Sequence, residues 1–148
     1  MTLPARAQAL FLDHPRLAAL ALGGLSACGF EPLHLWPLTL GALALLLVLA
    51  ERAASPRQVA LLGWLFGLGH FTIGNTWIAT AFTYQAEMPV WLGGVAVVGL
   101  AGYLAVYPML ALLAARLIAR GGGLALVPAF AGTWIVTEWM RAWVFTGF

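Results

Sequence analysis

Long runs without charge constrain this chain more than any other feature of its sequence. Val59–Phe82 is a run of 24 residues without Asp, Glu, Lys or Arg, and Val90–Ala115 is a run of 26. About 20 consecutive apolar residues suffice for a helix to cross the ~30 Å hydrocarbon core of a bilayer. Charged residues make up only 8% of the 148 residues, too few to cover a soluble globule, and 63% are hydrophobic, too many for a disordered chain. The sequence therefore predicts an all-α protein embedded in a membrane.

Three shorter apolar runs bring the prediction to about five transmembrane spans. Leu17–Phe30 and Leu33–Ala50 contain no charge, and Leu124–Phe145 contains Glu138 and Arg141. The first two runs cannot be one helix, because the prolines in the segment between them remove helix donors and disfavour helical backbone before them. We therefore predict two short helices joined by a turn over residues 31–37.

The arginines and tryptophans predict how these spans are oriented. Six of the seven arginines fall in segments that five spans place on one side, which the positive-inside rule makes cytoplasmic. They are Arg6, Arg16, Arg52, Arg57, Arg116 and Arg120. Five tryptophans fall near the opposite face, as an interfacial aromatic belt requires: Trp36, Trp77, Trp91, Trp139 and Trp143. Residues 1–16 are then a cytoplasmic lead-in, residues 17–148 form the transmembrane domain, and the C-terminus lies outside.

The third span carries small residues at helical spacing, which predicts close packing against another helix. Gly63 and Gly67 form a GxxxG pair. The same face continues through His70, Gly74, Trp77 and Ala81. An ionisable residue in mid-span is a functional candidate. For His70 we favour the simpler role, an interhelical hydrogen bond from a neutral imidazole.

Glu138 and Arg141 are the two charges of the fifth run, and their spacing of three places them on one helix face. A pair near lipid costs less than either charge alone. Two roles remain open: the pair fixes the outer end of the helix, or it contacts a lipid headgroup. We favour the first.

Other sites are weakly indicated. Leu25–Cys28 has the form of a lipobox, in which a lipidated cysteine follows a cleaved signal peptide, but a small buried thiol is the favoured interpretation. His14, His34 and His70 fall on different sides or depths, so no metal site is predicted. No cofactor motif occurs, and a net charge of +2 is too small for nucleic-acid binding.

Several segments resemble the N-terminal membrane part of bacterial apolipoprotein N-acyltransferases. The most specific is the last, Thr137–Phe148, with the sequence TEWMRAWVFTGF. The others are ACGF with EP and LWP at residues 27–37, GWLFGLG at 63–69, NTW at 75–77, MP at 88–89 and YLAVY at 103–107. The resemblance covers the chain from about Leu17 to its last residue.

The resemblance implies an inner-membrane enzyme of lipoprotein maturation. Members of this family take an acyl chain from a phospholipid and pass it to the α-amino group of a diacylglyceryl-cysteine on an apolipoprotein. A Glu-Lys-Cys triad in a nitrilase-like domain does this chemistry, and no residue of this sequence corresponds to that triad. The chain is therefore expected to be an inactive fragment by itself. Its candidates for lipid contact or substrate approach are Trp77, Trp91, Glu138, Trp139, Arg141 and Trp143. The alternative is a non-enzymatic membrane scaffold or transporter-like subunit.

Overall fold

The computed structural model describes residues 11–84, 89–119 and 122–144, and over these ranges the chain is helical with no β-strand. The predicted all-α class is confirmed. The helices are α1 (Pro15–Ala27), α2 (Trp36–Arg52), α3 (Pro56–Gly74), α4 (Thr76–Thr83), α5 (Val90–Leu104), α6 (Val106–Ile118) and α7 (Leu126–Val144), with a short 3-10 turn, Gly123–Ala125, before α7.

One helical stretch among the described residues is long and apolar enough to cross a membrane. It runs from Val90 to Ile118, spans 29 residues, and comprises α5 and α6 in succession. The apolar runs predicted as the other four spans correspond to α1, to α2, to α3 with α4, and to α7. The number of spans remains a prediction at this point.

The first break in the bundle lies where the prolines predict it. Helix α1 ends at Ala27 and α2 begins at Trp36, with Pro37 in its first turn. The backbone N–H of Leu35 donates to the carbonyl oxygen of Cys28 at 3.1 Å and closes the connecting loop. The two short apolar runs are therefore separate helices.

The third apolar run differs from its prediction because it is interrupted at Asn75. The backbone there has φ −103° and ψ 15°, outside the helical range, and it separates α3 from α4. The Thr76 hydroxyl donates to the carbonyl oxygen of Ile73 at 3.0 Å. A Thr hydroxyl competes with helical hydrogen bonding in this way, which favours a break inside an uncharged run.

One face of α3 packs against α1 with backbone almost touching backbone. A Cβ atom on Gly23 would overlap the carbonyl oxygen of Phe66, and one on Gly69 would overlap that of Leu20. A Cβ atom on Gly24 would lie 3.6 Å from the Ile73 side chain. Ser26 near the end of α1 contacts His70 near the end of α3, so the two helices run parallel.

Another face of α3 packs against α6 through the predicted GxxxG pair. A Cβ atom on Gly63 would lie 2.9 Å from the Cα of Met109, and one on Gly67 would lie 2.7 Å from the Cα of Ala105. The later glycine of α3 meets the earlier residue of α6, so α3 and α6 are antiparallel. Gly74 differs from this pair, since a Cβ atom there would meet no atom within 4 Å.

The remaining helices complete the bundle around α3. The Trp64 indole N–H donates to the Gly102 carbonyl oxygen at 3.0 Å and joins α3 to α5. The Thr133 hydroxyl donates to the Ala111 carbonyl oxygen at 2.8 Å and joins α7 to α6. The largest fully buried side chains at the centre are Phe66, Leu46, Leu62, Leu104 and Leu112.

The helix directions give the bundle two distinct ends. The Glu51 carboxylate accepts a hydrogen bond from the Gly123 N–H, so α2 ends where α7 begins. This end also holds the start of α1, the start of α3 and the end of α6. We call it the arginine end, because it carries Arg16, Arg52, Arg57 and Arg116.

Gly67→Ala is expected to destabilise the bundle. The new methyl group would meet backbone rather than a flexible side chain, and overpacking of this kind costs about 1–3 kcal/mol. The matched control is Gly99→Ala in α5, where a Cβ atom meets nothing within 4 Å and alanine is the better helix former by about 1 kcal/mol. Thermal unfolding in detergent, followed by circular dichroism, checks both variants. Equal midpoints for the two would contradict this account of the α3–α6 contact.

Candidate functional site

A cavity of about 680 Å³ opens at the end of the bundle opposite the arginine end. Its walls are the C-terminal ends of α1, α3 and α7, the start of α2 and of α4, and the loop between α1 and α2. Polar side chains line much of this cavity. They are Ser26, Glu31, Thr39, His70, Asn75, Thr76, Glu138 and Arg141.

Ser26 and His70 join α1 to α3 at the floor of this cavity. The Ser26 hydroxyl donates to the Gly23 carbonyl oxygen at 2.7 Å. The Ser26 Oγ atom also lies 2.7 Å from the His70 Nδ1. Since a hydroxyl has one proton, the second bond is donated by the Nδ1–H of the imidazole. The interhelical hydrogen bond predicted for His70 is thus present. Its partner Ser26 is 1% exposed and already hydrogen-bonded, which suits packing rather than nucleophilic attack.

Aromatic rings enclose the imidazole of His70 on several sides. The ring of Phe66 stacks on it with centroids 6.3 Å apart, and those of Phe30 and Phe71 meet it edge-on at 5.5 Å and 5.1 Å. Phe66 and Phe71 belong to α3, and Phe30 belongs to the loop between α1 and α2. These rings surround the imidazole with apolar surface on both α3 and the α1–α2 loop.

Glu138 and Arg141 form the predicted ion pair on the α7 wall. A terminal guanidinium nitrogen of Arg141 lies 2.6 Å from Glu138 Oε2, and Arg141 Nε donates to the same oxygen at 3.2 Å. The guanidinium carbon also lies 5.9 Å from the centroid of the Phe71 ring, which links α7 to α3. The two side chains are 18% and 32% exposed for Arg141 and Glu138, so the pair is shielded but reachable from the cavity.

Asn75 places an unpaired donor in the wall of the cavity. Its Nδ2 is buried and has no hydrogen-bond partner among the residues that the structure describes. A buried polar group left unpaired costs about 1–3 kcal/mol. This amide is therefore an unfavourable feature of the break between α3 and α4.

The structure separates the other predicted site residues into two groups. Gly74 and Trp77 line the cavity together with His70, Glu138 and Arg141. The tryptophans Trp91, Trp139 and Trp143 do not line it; they lie on the outside of the bundle, 68%, 63% and 75% exposed. All four tryptophans belong to helix ends on the cavity side, namely the starts of α4 and α5 and the last turns of α7.

Sequence reasoning missed the part that α1 and α2 contribute to the site. The Thr39 hydroxyl donates to the Ser26 carbonyl oxygen at 2.8 Å, and the Cys28 thiol donates to the Gly24 carbonyl oxygen at 3.8 Å. In the sequence, Ser26 is distinguished only as part of the lipobox-like segment Leu25–Cys28. The available signal was its place three residues after Gly23, which puts a hydroxyl on the glycine face of α1.

Arg141→Gln is expected to lower the stability of the bundle more than the double change Glu138→Gln with Arg141→Gln. The single variant leaves a shielded carboxylate without its partner, whereas the double variant leaves two neutral amides. The coupling in a double-mutant cycle should be about 1–2 kcal/mol, below that of a fully buried pair. Denaturation in mixed micelles at several salt concentrations measures it. Additive single effects would show that the pair contributes nothing.

Comparison with known proteins places these features in a family. Residues 22–148 match the model of the apolipoprotein N-acyltransferase N-terminal domain. Proteins named apolipoprotein N-acyltransferase are similar over 89% of the chain: that of Ralstonia nicotianae at 38% identity, that of Nitrosomonas europaea at 36% and that of Vibrio cholerae at 34%. The matched region is 26%, 27% and 26% of these relatives, so the chain spans about a quarter of their length. Because the family model covers all but the first 21 residues, this chain belongs to the family of the apolipoprotein N-acyltransferase N-terminal domain.

Proposed function

We propose that this chain serves as the N-terminal membrane portion of an apolipoprotein N-acyltransferase. The observation that carries the proposal is the family match over residues 22–148. The whole enzyme would take an acyl chain from a membrane phospholipid and transfer it to the α-amino group of a diacylglyceryl-cysteine on an apolipoprotein. The alternative, a non-enzymatic scaffold or transporter-like subunit, is not favoured by that match.

The apolar surface of the bundle supports its embedding in a membrane. Large apolar side chains on the outside are well exposed, with Leu40, Val95 and Ile135 at 58%, 58% and 68%. So many exposed large apolar side chains are unusual on a soluble monomer. We propose five passes: α1, α2, α3 with α4, α5 with α6, and α7. The α5–α6 stretch supports this most directly, since it meets the length and composition of a span unaided.

The charges at the two ends support one orientation. The arginine end carries four of the five arginines among the described residues, and Arg141, the fifth, is neutralised by Glu138. The positive-inside rule then makes the arginine end cytoplasmic. The cavity end faces the periplasmic leaflet of the bacterial inner membrane, where its exposed tryptophans would sit at the interface.

The cavity end is proposed to form the part of the enzyme where the lipid substrates approach from the membrane. Its polar residues lie at interfacial depth, where lipid headgroups and the lipidated cysteine of an apolipoprotein are both found. The ion pair of Glu138 and Arg141 joins α7 to Phe71 in α3 and so keeps this wall in place. This chain would provide the route by which the substrates approach and would anchor the enzyme in the membrane. The covalent step is assigned to the rest of the enzyme.

Cysteine accessibility tests the proposed orientation. In a Cys28→Ser background, a cysteine at Tyr84, 84% exposed near the cavity end, should react with a membrane-impermeant maleimide on intact spheroplasts. A cysteine at Leu124, 90% exposed at the arginine end, should react only after the membrane is permeabilised. Mass-tagged gel shifts measure both. The reverse pattern would overturn the orientation, and equal labelling of both without permeabilisation would overturn the embedding.

A chimera tests the proposed function. Residues 22–148 would replace the matching region of the 38% identical relative, and N-terminal mass spectrometry of a lipoprotein would report its acylation. We expect a working enzyme. Arg141→Ala in the chimera should lower acylation severalfold, because the α7 wall then loses its link to α3.

The control for the chimera is Arg116→Ala, which changes a cation at the arginine end. It should leave acylation near the level of the unmodified chimera. A chimera that inserts and accumulates normally but acylates nothing would count against the proposal. Full activity of the Arg141→Ala version would remove the role assigned to the ion pair.

A further inference from the structure

Three exposed arginines form a cationic surface at the arginine end of the bundle. Arg16 lies in the first turn of α1, Arg52 in the last turn of α2 and Arg57 in the first turn of α3. These three helices pack on one another, and only residues 53–55 separate α2 from α3. The term cationic surface refers below to Arg16, Arg52 and Arg57.

The alignment of the helices brings the three arginines to a similar depth. Ser26 of α1 meets His70 of α3, which fixes how these two parallel helices lie along each other. Arg16 is ten residues before Ser26, or about 15 Å at 1.5 Å per residue, and Arg57 is 13 residues before His70, or about 20 Å. The difference of about 5 Å is within the reach of an arginine side chain. Arg52 lies beside Arg57 because the turn between their helices is so short.

No carboxylate neutralises the cationic surface among the residues that the structure describes. The one ion pair over those ranges joins Arg141 to Glu138 at the cavity end. Two acidic residues lie at the arginine end. Glu51 accepts a hydrogen bond from the Gly123 N–H, and Asp13 is exposed and forms no ion pair within the described ranges. The three guanidinium groups are therefore available to a negatively charged partner.

Two of these cations are placed where a helix dipole opposes them. Helix α1 begins with Pro15 and Arg16, and α3 begins with Pro56 and Arg57, so each arginine lies at the positive end of a helix dipole. The first turns of the two helices, PRLA and PRQV, contain no acidic residue. Negative charge is stabilising at such a position. An anion held at the cationic surface would compensate both the arginines and the helix ends.

Exposed apolar side chains lie beside the cationic surface, on the side toward the middle of the bundle. Leu20 is four residues after Arg16 on α1, and Val48 is four residues before Arg52 on α2, so each shares a helix face with its arginine. Leu20 and Val48 are 36% and 37% exposed, and Leu17 is 66% exposed. An anion that carries hydrocarbon chains would contact both the cations and these side chains. A soluble anion would leave the apolar side chains in water.

We propose that the cationic surface binds the phosphate groups of anionic glycerophospholipids in the cytoplasmic leaflet. Arginine is suited to this role because its planar donors match two phosphate oxygens at once. Clusters of basic residues at the cytoplasmic ends of membrane helices attract anionic lipid. The assignment to that leaflet rests on the embedding and orientation proposed above. Lipid bound here lies at the opposite end of the bundle from the cavity and serves as a structural partner rather than as an acyl donor.

Competition between two lipids, followed by native mass spectrometry of the full chain in detergent, tests the cationic surface. The probes are dioleoyl phosphatidylglycerol and dioleoyl phosphatidylcholine, which share acyl chains and differ in net charge. The unmodified chain should retain phosphatidylglycerol in preference to phosphatidylcholine, and the preference should fall as salt is raised. Each of Arg16→Gln, Arg52→Gln and Arg57→Gln should lower the preference about fivefold, the contribution expected of one basic residue at an anionic lipid surface.

The matched control keeps the charge at the same three positions. A triple variant with Arg16→Lys, Arg52→Lys and Arg57→Lys should keep the preference within about twofold, whereas the triple Gln variant should lose it. Asn75, at the cavity end, is 18 residues from Arg57, or about 27 Å along α3, so lipid held there should respond equally to both triple variants. Micelles have no inner and outer side, so a changed orientation cannot produce the difference. Each variant is first checked for helix content and for a single peak in size-exclusion chromatography.

The outcomes distinguish an anionic lipid from its rivals. Equal retention of the two lipids by the unmodified chain would overturn the proposal, as would a preference that survives in the triple Gln variant or that the triple Lys variant loses to the same extent. Glycerophosphate, the phosphate without acyl chains, should not displace phosphatidylglycerol at equal concentration, and full displacement would overturn the assignment to a lipid.

The maleimide experiment separates this surface from the proposed function. A chain that labels as proposed but shows no preference for phosphatidylglycerol overturns only the cationic surface. A chain that prefers phosphatidylglycerol but labels in the reverse pattern overturns the proposed orientation and, with it, the assignment to the cytoplasmic leaflet.

Discussion

The close approach of α1 and α6 to opposite sides of α3 is the constraint on which the rest of the structure depends. Between apolar helices in lipid there is little hydrophobic driving force, so association depends on close packing and on polar contacts. Gly63 and Gly67 bring α3 to the backbone of α6, and Gly69 with Gly23 brings it to the backbone of α1. A methyl group at any of these positions would meet main-chain atoms, which cannot move aside as a flexible side chain can.

The polar site follows from that packing. Because α1 and α3 approach so closely and run parallel, their C-terminal ends meet, and Ser26 comes within 2.7 Å of His70. The break at Asn75 and the start of α4 form part of the wall of the cavity that opens at this contact. Helix α7 closes the far wall through Arg141, whose guanidinium lies against Phe71. A cavity with polar walls thus forms at one end of a bundle whose other surfaces are mostly apolar.

Much of the fold could be predicted from sequence because its signals are local. Uncharged runs marked the helices, Pro32 and Pro37 marked the break between the first two, and the spacing of Glu138 and Arg141 predicted their pair. The interruption at Asn75 was not predicted, since hydropathy does not register a hydroxyl such as that of Thr76, which bonds to a backbone carbonyl oxygen of the preceding turn.

The sequence by itself determined that this chain is helical and where most of its helices lie, because charge, proline and glycine act on their immediate neighbours. It also indicated the family, through short segments spread along its length. Only the tertiary structure decided that Ser26 is the partner of His70, that Gly74 faces a cavity rather than a helix, and that α2 and α7 leave a cleft between them. Those facts depend on which faces of distant helices meet, and that choice is made by the packing of the whole bundle rather than by any one segment.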